Sequence, residues 1–177
     1  MRKQLLRWEA AGFAFVAAAG TLLHFVYDWS GGSPLAAAFS AVNESTWEHM
    51  KLFFFPLFLF SVVQLWTLGR SYTNFLAART VSVLFGLLLI PVLFYTYSGV
   101  LGDTVDWVNI AIFYVADLAS FLLDFHLLSR GRLGALWQQL LGLAVLWALA
   151  FLFVWCTFHP PALGLWQDPV TGRFGIP

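Results

Sequence analysis

Five apolar runs, each close to twenty residues, leave this chain few ways to fold: about 8–27, 50–68, 75–98, 107–128 and 136–158. Roughly 20 consecutive apolar residues are what a helix needs to cross the hydrocarbon of a bilayer. In lipid every backbone polar group must be satisfied within the protein, which leaves helices or a closed barrel. The runs are continuous rather than alternating, so a barrel does not fit. Composition agrees, with 60% hydrophobic and only 10% charged residues, where a soluble domain carries about 25% charged. The expectation is an all-α integral membrane bundle of about five transmembrane helices, in one domain over 1–177. Residues 159–177 form an extramembrane tail, and the chain is multi-pass in a prokaryotic inner or plasma membrane. Its first partner is the lipid bilayer.

The opening segment has the cast of a signal peptide, with a basic start, an apolar middle and Ala17-Ala18-Ala19. Glu9 interrupts that apolar stretch, so an uncleaved first span is expected. A net charge of zero gives no case for nucleic-acid binding. The single cysteine, Cys156, has no internal partner, and no C-x-x-C motif is present.

The basic residues orient the bundle. With the N-terminus in the cytoplasm, Arg2, Lys3, Arg7, Arg70, Arg79, Arg130 and Arg132 fall inside, and only Lys51 and Arg173 fall outside. Tryptophans mark both predicted interfaces: Trp8, Trp66 and Trp137 within, Trp29, Trp47, Trp107 and Trp155 without. The C-terminus is then extracytoplasmic. A crown of ionisable groups shares that side: Asp28, Glu44, Glu48, His49, Lys51, Asp103, Asp106, His159 and Asp168, with His24 just within the outer leaflet.

The stretch AVNESTWEHMKLFFFP, 41–56, is the densest part of the crown. Ser45-x-x-Glu48 fits a capping box, with Ser45 accepting from a backbone N–H and Glu48 reaching back. Both glutamates suit the positive end of a helix dipole, and Lys51 is expected to snorkel outward. Capping explains neither His49 nor the second acid. In LHFVYDWSGGSP, His24 and Asp28 are four apart and share a helix face. An aspartate so placed can orient the ring or share a cation with it; the plainer reading is an interfacial pair in water. Asp117 lies near mid-membrane in the fourth span, with Asp124 two turns on along one face. A carboxyl at that depth must find a partner or keep its proton, and such residues are functional candidates by default. Pro56 and Pro91 can kink their helices and open a cavity below the crown. The turn-rich tail, with Pro160-Pro161, Asp168-Pro169, Trp166 and Phe174, can lie over that cavity as a lid or hang idle.

Three segments, HFVYDWSG, VNESTWEHMKLFFFP and DPVTGRFGI, together resemble a family of small prokaryotic membrane proteins of unknown function, and the resemblance runs nearly end to end. Its most specific block is Asn43, Glu44, Ser45, Trp47, Glu48, His49 and Lys51. The resemblance implies a shared polar site and brings no activity with it. Membrane-embedded zinc hydrolases also place His, Asp and Ser near the bilayer face, but their H-x-x-x-H pattern is missing here.

Three functions compete. An extracytoplasmic-facing pocket of His24, Asp28, Asn43, Glu44, Trp47, Glu48, His49 and Lys51, with Asp117 as a coupling site, would bind or transport a small cation or organic ligand. Tryptophans would supply cation–π contacts. A metal-dependent hydrolase acting on a lipid-like substrate would draw ligands for a divalent metal such as zinc from His24, Asp28, Glu44, Glu48 and His49. An accessory or structural subunit would instead dock a partner membrane subunit or a second copy, its small-residue faces at Gly12, Ala19 and Gly20 permitting close packing.

Overall fold

A computed structural model describes residues 2–176. Six helices follow one another: α1 Arg2–Trp29, α2 Pro34–Phe39, α3 Thr46–Leu68, α4 Phe75–Leu101, α5 Asp106–Arg130 and α6 Leu136–Phe158. All but α2 are long and apolar enough to cross a membrane, so the protein is an all-α, multi-span bundle. α6 matches the hydropathy-based bounds, α3 begins four residues before them, α4 runs three residues past them, and α1 and α5 extend at both ends. Arg2–Arg7 continue α1 by nearly two turns, because amphipathic ends stay helical beyond the apolar stretch.

α1, α3, α4 and α5 close a ring in which each packs on the next, and α6 lies outside it against α4, touching α3. Helices in lipid gain little from hydrophobicity when they associate, so close packing has to hold them together. Small residues make that packing possible. On α1, Gly12 receives the rings of Phe60 and Phe121, and Gly20 receives Phe113 and the Leu52 carbonyl. A Cβ on Gly20 would sit 2.6 Å from both. Phe53, Phe54, Leu57, Val83 and Phe153 fill the centre with essentially no exposure. Pro56 and Pro91 lie within unbroken helices.

α2 was not foreseen. Its PLAAAF segment is too short to span, but Pro34 supplies a first helical turn, and Ala37 and Ala38 are buried. Its role emerges at Lys51. Far from snorkelling, Lys51 is fully buried, with Nζ 2.5 Å from Glu48, 2.8 Å from the Ala37 carbonyl and 2.7 Å from Thr157 Oγ1. The expectation fails because α2 and α6 roof the start of α3 and supply acceptors in place of water. The capping box is half realised. Ser45 accepts from the Glu48 N–H, while Glu48 accepts from the Val42 N–H and the Ser45 N–H goes to Asn43 Oδ1.

A second knot lies at the opposite end. Arg79, counted above as an interfacial charge, is 1% exposed. It stands 2.9 Å from Asp124 and 3.7 Å from Glu9 and donates to Gln64, which itself donates to Glu9 at 2.6 Å. The rings of Phe75 and Phe121 flank the guanidinium at 5.6 and 5.3 Å.

The tail docks. Gln167 pairs with Phe174 around a turn capped by Asp168, which accepts from the Val170 and Thr171 N–H groups and the Thr171 hydroxyl. Trp166 packs on Trp47, which packs on Phe153, with centroids 4.7 and 4.5 Å apart. Asn43 donates to the Gly175 carbonyl at 2.8 Å. Gly175 has a φ of +73° and its absent Cβ would lie 2.8 Å from Pro160, so glycine is required on both counts.

Candidate metal site

α1 ends beside the loop that enters α3, and this brings three of the sequence-predicted residues together. His24 Nε2 lies 3.7 Å from one oxygen of Glu44, and His49 Nε2 lies 3.4 Å from the other. The two imidazoles tilt toward one another at a centroid distance of 5.3 Å. One nitrogen or oxygen from each residue falls within 4.8 Å of the other two. Tetrahedral zinc with bonds of about 2 Å holds its ligands roughly 3.3 Å apart, so the Glu44 distances are near those of a filled site.

The local fold prepares these atoms. Ser45 caps α3, and its carbonyl, one turn before His49, lies 3.0 Å from His49 Nδ1. That carbonyl can only accept, so Nδ1 carries the proton, and Nε2, on the Glu44 side, is the nitrogen left to bind a metal. Fixing the tautomer through the other ring nitrogen is the usual support for a metal-binding histidine. His24 and His49 are one-third exposed and Glu44 about half. The His24 imidazole that faces Glu44 holds its carboxyl below the ordinary 4.5; burial opposes this, and the charges of His49 and His24 reinforce it.

The triad edges a cavity of about 410 Å³. Its walls are Thr46 from α3, Ile90 and Phe94 from α4, Thr104 before α5, Asp106, Asn109, Ile110, Ile112 and Phe113 from α5, and Pro169 and Val170 from the docked tail. The side opposite the histidines is mostly apolar, with Thr46, Thr104, Asp106 and Asn109 as polar exceptions. No tryptophan or tyrosine lines it.

The other sequence-predicted residues go elsewhere. Glu48, four residues after Glu44 and inside α3, points to the α2–α6 side and is held by Lys51, the Val42 N–H and Thr157. Asp28 is exposed on α1 beyond His24. Asn43 ties down the tail, and Trp47 is buried between Phe153 and Trp166. Asp117 lies in the core of α5, 0% exposed, and neither of its oxygens has a hydrogen-bond partner among the described residues. Sequence reasoning missed Glu9, Gln64 and Arg79 as one unit. The available signal was that a charge interrupts each of two apolar runs, at Glu9 and Arg79.

A family model for a family of unknown function (DUF6512) matches residues 1–176, and the chain belongs to that family. Comparison with curated proteins and with solved structures finds no match.

Proposed function

We propose that this protein binds a divalent transition metal, zinc foremost, through His24, Glu44 and His49, and presents the metal's open coordination position to the adjoining cavity. The observation that carries this is the convergence of two imidazole Nε2 atoms on the two oxygens of one carboxylate, 3.7 and 3.4 Å away. Two imidazoles and a carboxylate are a zinc set that leaves a fourth position for water or ligand. An organic cation is a poorer occupant, since the cavity offers only Phe94 and Phe113 as aromatic rings.

A metal beside a cavity also supports a hydrolase reading. A bound water, made nucleophilic by zinc, would face a carbonyl or phosphoryl group, and the wall of Ile90, Phe94 and Ile110 would suit an aliphatic chain. The basic-residue asymmetry supports an orientation with this cavity toward the outer face of a prokaryotic plasma membrane.

Elemental analysis of detergent-purified protein tests the metal directly. The expected result is about one zinc per chain in wild type, lost in His49→Ala and in Glu44→Gln and retained in Asp28→Asn. Equal metal content in wild type and the two site variants would overturn it.

A further inference from the structure

The cavity beside the triad has a second polar side, and the register of α1 against α5 fixes its depth. Gly12 receives the ring of Phe121, and Gly20, further along α1, receives that of Phe113, as far back along α5. The two helices therefore run antiparallel in constant step, and the 3.1 Å contact between the Thr21 and Tyr114 hydroxyls lies close to that step. Carried one more turn outward, the same count sets His24 level with Asn109. Both residues line the cavity.

Asn109 is held in one orientation. The Val105 N–H donates to the Tyr97 hydroxyl at 3.1 Å, and that hydroxyl donates in turn to Asn109 Oδ1. A tyrosine hydroxyl that already accepts from the backbone needs an acceptor for its own proton, which identifies the facing amide atom as the oxygen. Tyr97 stands outside the cavity lining, so the amide oxygen is engaged away from the cavity. The amide nitrogen carries two N–H donors, and among the described residues nothing accepts from Asn109 Nδ2. A side chain on the cavity wall thus keeps its donors unspent, at the depth of the triad.

An open metal position on one side and an N–H pair on the other suit a head with two oxygens, one for each. Charge narrows the head further. No lysine or arginine lines the cavity, and Asp106 does, so a dianionic phosphate finds no counter-charge beyond the metal. A carboxylate or similar acyl head, carrying one charge at most, fits. Ile90, Phe94 and Ile110 offer the adjoining surface for an aliphatic chain.

We propose that the site takes aliphatic acyl ligands that present two oxygens, with Asn109 as the specificity-determining residue. The metal held by His24, Glu44 and His49 binds one oxygen, and the Asn109 amide donates to the other. Tyr97 is a positioning residue that keeps the donors turned inward. The proposal rests on the metal reading above and adds to it the head that the cavity selects.

Detergent-purified protein loaded with cobalt(II) tests this, because cobalt absorption reports both the metal and what binds to it. Hexanohydroxamate presents two oxygens on a short aliphatic chain, and 1-hexanethiol binds metal through sulfur on a chain of the same length. Asn109→Leu and Asn109→Asp should keep the wild-type cobalt spectrum, weaken hexanohydroxamate about tenfold or more, as for a lost hydrogen bond to a charged acceptor, and leave the thiol within about twofold. Tyr97→Phe should weaken the hydroxamate less than either and spare the thiol. No hydroxamate-induced shift in wild type, equal hydroxamate affinity in wild type and the Asn109 variants, or equal weakening of hydroxamate and thiol overturns the proposal while the cobalt spectrum sustains the metal site. A wild type that takes up no cobalt overturns both, and that failure is read before any ligand is added. Should Asn109→Leu fail to fold, Asn109→Asp, which keeps an oxygen for Tyr97, decides on the same readings.

Discussion

Glu44, in the loop before α3, and Glu48, in its first turn, stand four residues apart and have opposite fates. Glu48 is sealed under α2 and α6, where Lys51, Thr157 and a backbone N–H satisfy it. Glu44 remains half open to solvent between two imidazoles at distances too long for good hydrogen bonds. The first acid has spent its bonding capacity on the fold, whereas the second keeps it for something else. A buried, internally satisfied ion pair is a structural device, and a converging, under-bonded set beside a cavity is a binding site. Residue type alone does not separate them.

Breaking the closed region should have the largest effect. Lys51→Met leaves Glu48 as an unpaired buried acid, a change that typically costs about 3–5 kcal/mol. Lys51→Met with Glu48→Gln should recover much of that loss in thermal unfolding, and failure to recover would mean that the pair does more than neutralise itself. Arg79→Met should destabilise comparably through Asp124 and Glu9, with Asp124→Asn as the partial rescue. Gly20→Leu comes next. Overpacking of this kind costs on the order of 1–3 kcal/mol, and the Phe113 ring and Leu52 carbonyl give it little room.

The open region should respond in the reverse sense. His49→Ala is expected to cost under about 1 kcal/mol, in keeping with a weak, solvent-screened pairing, and yet to abolish metal binding by calorimetric titration. A large loss of stability with metal retained would erase the contrast between the two glutamates. The smallest effect concerns acid. Because the folded protein depresses the Glu44 carboxyl below 4.5, its contribution is complete above that pH and disappears as pH falls through the lower, folded value. Glu44→Gln should therefore flatten the acid limb of a melting-temperature profile slightly below pH 4.5 and leave neutral pH alone.

Hydropathy and charge made the five spans legible, because both are local properties of the chain. α2 escaped because six apolar residues do not announce a helix when their stability comes from the surface they cover. Lys51 was misjudged for a related reason. A lysine near a helix start goes outward unless a roof exists, and that roof comes from Ala37 and from Thr157, 14 and 106 positions away. His24, Glu44 and His49 could be read as candidates by type and predicted face. Choosing them over Asp28 and Glu48 required knowing how the loop before α3 turns Glu44 toward α1 while α3 carries Glu48 under α2 and α6. Arg79 was hidden by a rule that counts basic residues near span ends without asking which way they point.

The bond from Asn43 to Gly175 joins residues 132 positions apart, and it sets an order on biogenesis. His24, Glu44 and His49 leave the ribosome well before Pro169 and Val170, which wall their cavity. Until α6 is inserted and the tail has crossed to its docking place, the triad faces the medium without its wall. A chain halted before Pro169 would carry every candidate ligand and lack one wall of the chamber they serve, so truncation there should weaken ligand retention without removing a ligand.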